Sequence, residues 1–126
     1  MSARRGAWLI AVGRAAIGAA VLVSPEAAMT RWLGAANASH GGVRDLGRGL
    51  AARDIGLALA TLQTLDDPVI GPRLQLACAA ADAADAVSTL LEREARPRVA
   101  AIGTVAVASG AAVAGAYFAR QLSRAS

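Results

Sequence analysis

Four apolar stretches alternate with short polar segments along this chain, and each is long enough to form a membrane-spanning helix. The last is the clearest, because residues 99–119 carry no charge over twenty-one positions and lie between Arg98 and Arg120. An α-helix rises about 1.5 Å per residue, so this run covers the roughly 30 Å of hydrocarbon in a bilayer. The pattern predicts four helices, over residues 6–23, 43–65, 69–91 and 98–120.

The break after the first helix is marked by Ser24 and Pro25, because proline disfavours a helical conformation in the residue before it. Pro25 can open a new helix at its first position, with Ser24 as the N-cap. Residues 25–33 place Met29 and Trp32 on one side, and tryptophan is enriched at membrane–water interfaces. We expect a short interfacial helix here. An ordinary helix packed on the bundle is the alternative.

Composition indicates how the helices would pack. The chain is 56% hydrophobic but only 3% aromatic, and its 126 residues suffice for a single domain, 1–126. Small residues let membrane helices approach closely where lipid provides no hydrophobic drive. We expect such contacts along two stripes, which could also serve a homo-oligomer or a membrane protein partner. The stripes are Ala52, Gly56 and Ala60 in the second helix and Ala106, Gly110 and Ala114 in the fourth.

The net charge is +4, and every basic residue is an arginine. The arginines are scattered, without the basic stripe or aromatic platform typical of nucleic-acid binding, so we expect no nucleic acid partner. They suit the flanks of membrane helices, and the lipid bilayer is the expected partner.

Arg4 and Arg5 before an apolar run resemble the start of a signal peptide, but Arg14 within that run favours a retained first helix. We expect a multi-pass protein of the cell (inner) membrane. Equal arginine counts on the two sides leave its orientation open.

The third helix carries a polar face. Its polar residues recur at alternating spacings of three and four, which places them on one side of a helix. Two of the carboxylates lie one turn apart and would repel each other unless a proton or cations neutralise them. The residues on this face are Gln75, Cys78, Asp82, Asp85, Thr89 and Glu92.

Partners for these carboxylates lie in the first two helices. We expect Arg53 to face Asp82 or Asp85, and the adjacent Asp54, which diverges by about 100° on the helix, to turn toward Arg14. An unpaired Asp or Arg at a bilayer centre costs about 2.5–3.5 kcal/mol, which favours such an intramembrane network. These five residues sum to a charge of −1, so one proton or cation would balance them.

No catalytic motif is recognisable, and we expect no enzyme, no cofactor and no metal site. The sequence lacks a Walker loop, an HExxH motif and the paired Glu-x-x-His motifs of di-iron bundles. One cysteine excludes an intrachain disulfide. His40 lies in a glycine-rich linker, 34–42, where we expect it to be exposed.

A resemblance can be stated on four features. These are Gly13-Arg14, the turn at Pro25, the Arg-Asp-Ile-Gly-Leu segment 53–57 and the Asp-Ala-Ala-Asp segment 82–85. With them the chain resembles a family of small uncharacterised bacterial four-helix integral membrane proteins. The resemblance implies the four-helix architecture and singles out the arginines and aspartates of these segments as candidate site residues. It implies no substrate.

Three functions follow as expectations from an all-α, four-transmembrane-helix bundle with a short interfacial helix. The first is a structural or accessory membrane protein whose Arg-Asp network fixes helix pairing. The second is a proton- or cation-coupled transport component that uses Asp82 and Asp85. The third is a soluble or peripheral alanine-rich helical bundle.

Overall fold

The computed structural model describes residues 1–124, and all the secondary structure in that part of the chain is helical. The all-α prediction is therefore confirmed. The helices, in chain order, are α1 (Ala3–Val23), α2 (Pro25–Leu33), α3 (Ala35–Ala38), α4 (Gly41–Thr64), α5 (Ile70–Leu91) and α6 (Arg98–Arg124), with a 3₁₀ turn (Arg93–Ala95) before α6.

The helix ends differ from the predicted ones where side chains cap them. α1 begins at Ala3 rather than residue 6, because the Ser2 hydroxyl accepts a hydrogen bond from the backbone N–H of Arg5 at 3.3 Å. The carboxylate of Asp67 likewise accepts from the N–H groups of Val69 at 2.8 Å and Ile70 at 2.7 Å, at the start of α5. α6 runs past Arg120 to Arg124.

The four long helices form an antiparallel bundle. α1 packs along α4, and α5 packs along α6, with further contacts between α1 and α6 and between α4 and α5. The closest approaches occur at glycines. A Cβ on Gly18 would lie 2.9 Å from the carbonyl oxygen of Ala51, and a Cβ on Gly115 would lie 3.1 Å from the Cβ of Ala79. Helix backbones therefore come together as small residues permit.

The small-residue stripes that we predicted are not the ones that make these contacts. Nothing lies within 4 Å of a Cβ built on Gly56 or Gly110, and both residues are on the outer surface. The packed positions are Gly18, Gly47 and Gly115 instead. For contacts within the chain the prediction was wrong, because several faces of an alanine- and glycine-rich helix carry such stripes, and spacing alone does not say which face meets a neighbour. The role of the two stripes in a homo-oligomer stays a prediction.

One end of the bundle is closed by an apolar cluster of Ala7, Leu65 and Phe118, which are all buried. The Phe118 ring lies directly against the backbone of Gly6, where a Cβ would overlap it. At the rim of this end, Arg4 Nε donates to Asp66 Oδ1 at 2.5 Å, which ties α1 to the end of α4 on the exposed surface.

At the other end, α2 packs on the bundle. Its bounds are those predicted, and Pro25 occupies the first turn, but the Ser24 side chain makes no capping hydrogen bond. Met29 is 3% exposed and packs against Gly47, while the Trp32 ring lies 5.4 Å from the Arg96 guanidinium. The linker 34–42 is partly helical, since it contains α3.

Three helices of the described chain, α1, α5 and α6, are long and apolar enough to cross a membrane. α4 has 24 residues and so is long enough, but its charged residues keep it outside that set. The number of spanning helices therefore depends on how the charges of α4 are compensated.

Candidate functional site

The interior of the bundle contains a set of buried polar side chains among small apolar ones, while many large apolar side chains lie on its surface. Gln75 and Thr89 are each 1% exposed and are the largest fully buried side chains, and Cys78 beside them is also buried. By contrast, large apolar side chains such as Val99, Val113 and Leu91 are more than two-thirds exposed. The polar face predicted for α5 therefore points into the bundle. Glu92, which the spacing placed on the same face, is exposed.

Arg14 of α1 lies at the buried end of a charged network. Its Nη2 donates to Asp82 Oδ2 of α5 at 2.5 Å, and its Nη1 donates to Asp54 Oδ1 of α4 at 3.2 Å. The Arg14 side chain is 7% exposed and that of Asp82 is 11% exposed. One guanidinium therefore joins three helices through the largely buried Asp82 and the partly exposed Asp54.

Arg53 of α4 continues the network toward the surface. Its Nη2 donates to Asp85 Oδ2 at 2.7 Å and to Asp54 Oδ1 at 3.0 Å, and its Nη1 reaches Asp85 Oδ1 at 3.4 Å. The two contacts to Asp85 form a forked pair of the kind that guanidinium and carboxylate groups favour. About a third of the Arg53 and Asp85 side chains is exposed.

The five charged residues singled out in the sequence thus form one continuous chain of hydrogen bonds, in the order Asp82, Arg14, Asp54, Arg53, Asp85. Sequence reasoning left Arg53 with two candidate carboxylates, and the structure gives it Asp85. It also missed one contact, because the long Arg53 side chain folds back onto the neighbouring Asp54.

The two aspartates one turn apart on α5 do not share a cation. Asp82 pairs with α1 through Arg14, and Asp85 pairs with α4 through Arg53. Asp54 lies between the two arginines and accepts from both. Two guanidinium groups therefore face three carboxylates, which leaves a formal surplus of one negative charge.

The uncharged polar residues of α5 have local partners. Cys78 Sγ lies 3.6 Å from Thr61 Oγ1 of α4, and the Thr89 hydroxyl donates to the Asp85 carbonyl oxygen at 2.8 Å. Gln75 is the exception, since its buried Nε2 has no hydrogen-bond partner within residues 1–124. Sequence reasoning missed Thr61, although its position seven residues after Asp54 places it on the same face of α4.

Other candidate ligands do not join this site. His40 is exposed in the linker, where its Nδ1 lies 3.3 Å from the Asn37 carbonyl oxygen. Across residues 1–124, no three His, Cys, Asp or Glu side chains are grouped so that they could hold a metal ion. The arrangement is a polar network, and its chemistry is that of paired carboxylate and guanidinium groups.

Comparison with known proteins adds no relative, because no family model, no curated protein and no solved structure matches this chain. The resemblance to a bacterial four-helix membrane family stays a prediction. Function is therefore argued from the geometry of the bundle.

Proposed function

We propose that this chain is a multi-pass integral protein of the cell (inner) membrane with a structural or accessory role, in which α1, α4, α5 and α6 cross the bilayer. The observation that carries the proposal is a buried layer of charged and polar side chains beneath a surface rich in large apolar ones. Charged and polar groups face inward at the level of Arg14 and Asp82, while large apolar side chains of α1, α5 and α6 face outward. Such a surface suits lipid rather than water.

The antiparallel arrangement supports a fourth crossing by α4. α1 and α5 run in the same direction, so the chain must return between them. Contacts at both ends of α4 are consistent with this, because Asp66, just after it, meets Arg4 and its residue Arg44 lies 3.8 Å from Glu26. Its central charges, Arg53 and Asp54, are paired, which lowers the insertion cost of about 2.5–3.5 kcal/mol that each would carry alone.

The position of α2 supports an interfacial placement. It contacts α1, α4 and α6 at the end of the bundle where α1 stops and α4 begins, and it carries Trp32 together with Glu26 and Arg31. Tryptophan and charged residues at this level are typical of the headgroup region.

Membrane extraction tests the proposal directly. Membranes from expressing cells are washed at high pH and then treated with a mild detergent. We expect the protein to stay in the pellet through the alkaline wash and to enter solution with detergent. Release by the alkaline wash would instead identify a soluble or peripheral bundle, and the proposal would fail.

The structural role of the network is tested at its half-exposed end. Asp85→Asn should lower the yield of folded protein in detergent, because Arg53 keeps its charge but loses its forked partner. Adding Arg53→Gln should restore part of the yield, since Asp54 still has Arg14. Arg48→Gln, which removes an exposed pair with Asp45, is the matched control. A double variant worse than either single one would contradict the assigned pairing.

A second candidate function is proton- or cation-coupled transport through the network. The observation that favours it is the surplus carboxylate, in a chain of groups that runs from the buried Asp82 to the half-exposed Asp85. It predicts that Asp82→Asn retains the fold but abolishes pH-dependent flux in liposomes, while Asp45→Asn on the exposed pair does not. Flux that Asp82→Asn leaves unchanged would exclude this function.

A further inference from the structure

A groove of about 850 Å³ opens between the last turn of α5 and the first turns of α6. Its apolar lining includes Leu90, Ile102 and Val105. Three arginines, Arg93, Arg96 and Arg98, line it where the chain turns from α5 into α6, which we call the mouth of the groove. Seven residues of α6 separate Arg98 from Val105, which corresponds to about 10 Å along the helix axis. The groove thus has a cationic end and an apolar end.

The arginines at the mouth are short of anionic partners. Arg93 Nη1 donates to the Leu90 carbonyl oxygen at 3.4 Å, and neither Arg93 nor Arg98 has an ion pair within residues 1–124. The arginines at the start of α4, at the same end of the bundle, differ in this respect, because Arg44 and Arg48 lie 3.8 and 3.2 Å from Glu26 and Asp45. Glu94 also lines the groove, which leaves a net charge of two positive units there.

Arg96 is held in place at the mouth. Its guanidinium lies 5.4 Å from the centre of the Trp32 ring, and its Nη1 lies 3.5 Å from the Thr89 hydroxyl. Its Nε is buried and has no hydrogen-bond partner in the described chain. A guanidinium fixed on one face by an aromatic ring presents its remaining N–H groups in a defined direction, which suits recognition of a phosphate.

We propose that this groove binds one anionic phospholipid, with the headgroup phosphate at Arg93, Arg96 and Arg98 and one acyl chain along Leu90, Ile102 and Val105. The inference rests on the proposed membrane location, because the arginines then lie at the level of the headgroups and α6 descends into the hydrocarbon. Charge complementarity selects the occupant, since basic clusters at the ends of membrane helices attract anionic lipids. A zwitterionic lipid offers the same chains without the net negative charge.

Trp32 provides an intrinsic probe of this site. The chain has two tryptophans, and Trp8 is about half exposed, so Trp8→Phe leaves Trp32 as the reporter with little cost to packing. The variant is reconstituted in phosphatidylcholine vesicles that contain a small fixed fraction of phosphatidylglycerol with chains brominated near the carbonyl end, because bromine quenches nearby tryptophan. Parallel vesicles carry the same fraction of brominated phosphatidylcholine.

We expect phosphatidylglycerol to be enriched about fivefold over phosphatidylcholine around Trp32, the factor that one well-placed arginine contributes. The double substitution Arg93→Gln and Arg98→Gln should remove the enrichment. Arg120→Gln with Arg124→Gln removes the same charge from the other end of α6 and should leave it unchanged. Raising the salt concentration should weaken the enrichment, because salt screens the phosphate contacts.

The outcomes separate this inference from the proposed function. Equal quenching by the two lipids in a protein that resists alkaline extraction would overturn the lipid site and leave the membrane location intact. An equal loss with the Arg120 and Arg124 pair would also overturn it, because general attraction of the chain to anionic lipid would then suffice. A protein that the alkaline wash releases would overturn both.

Discussion

Two layers of the bundle hold its helices together in different ways. The charged layer joins α1, α4 and α5 through directional hydrogen bonds centred on Arg14. The apolar layer at one end joins α1, α6 and the end of α4 through the fit of Phe118 against Gly6 and Leu65. In the proposed membrane location, apolar contact between helices gains little over contact with acyl chains, so the stability of this layer depends on how well its side chains fit together. The charged layer depends on complementary partners, and it therefore specifies which helices meet.

The largest expected effect comes from breaking the charged layer at its centre. Arg14→Gln leaves the buried Asp82 without its cation and Asp54 with Arg53 alone, and loss of one partner of a buried pair costs about 3–5 kcal/mol. We expect a loss of that order in an SDS titration followed by circular dichroism. The control, Arg48→Gln on the exposed surface, should cost about 1 kcal/mol or less. Similar losses in the two variants would contradict a special role for the buried layer.

The apolar layer should be destabilised by a change in side-chain volume, not by a change in charge. Gly6→Ala places a methyl group against the Phe118 ring, and overpacking of this kind costs about 1–3 kcal/mol. Gly110→Ala is the matched control, because its Cβ meets nothing within 4 Å and alanine favours the helix by up to about 1 kcal/mol. The same denaturation assay should show opposite signs for the two variants. A stable Gly6→Ala would mean that the ring can move aside.

Gln75 tests whether a buried polar group stabilises the bundle only when it is paired, because its side-chain donor has no hydrogen-bond partner in residues 1–124. Replacing it by leucine removes the orphaned Nε2 and should raise stability by about 1 kcal/mol. Thr89→Val on the same face of α5 should have the opposite sign, since the Thr89 hydroxyl donates to the Asp85 carbonyl oxygen. Thermal unfolding in detergent would compare the two, and a destabilised Gln75→Leu would indicate that the amide has a partner.

The smallest expected effect lies outside both layers, at the start of α5. Hydrogen bonds from the backbone N–H groups of Ile70 and Val69 lower the pKa of Asp67 from its ordinary value of 3.8. A lowered folded-state pKa contributes stability that is present above 3.8 and is lost as the pH falls through the lowered value. Asp67→Asn keeps an acceptor oxygen without the charge. Its deficit relative to the native chain should be constant above that range and shrink below it, and a deficit independent of pH would contradict the assignment.

Much of the helical architecture could be predicted from the sequence. The lengths of the apolar stretches predicted the four long helices, and Pro25 predicted the start of α2. Both signals depend on residues that are close together in the chain. The alternating spacing of Gln75, Cys78 and Asp82 likewise placed them on one face of α5. Because that face carries polar residues, their side chains could be expected to pair with polar groups on other helices.

Tertiary structure alone decided which neighbours these faces meet. Helical periodicity defines which residues share one face of a helix but not which neighbour that face meets. A Cβ on Gly56 or Gly110 would therefore meet nothing within 4 Å, although both glycines belong to regular stripes, while Gly18 and Gly115 lie close to neighbouring helices. The same limit applies to charge. The sequence established that arginines and aspartates would have to pair, because an uncompensated charge is costly to bury. The packing of α1 and α4 against α5 decided that Arg14 pairs with Asp82 and Arg53 with Asp85.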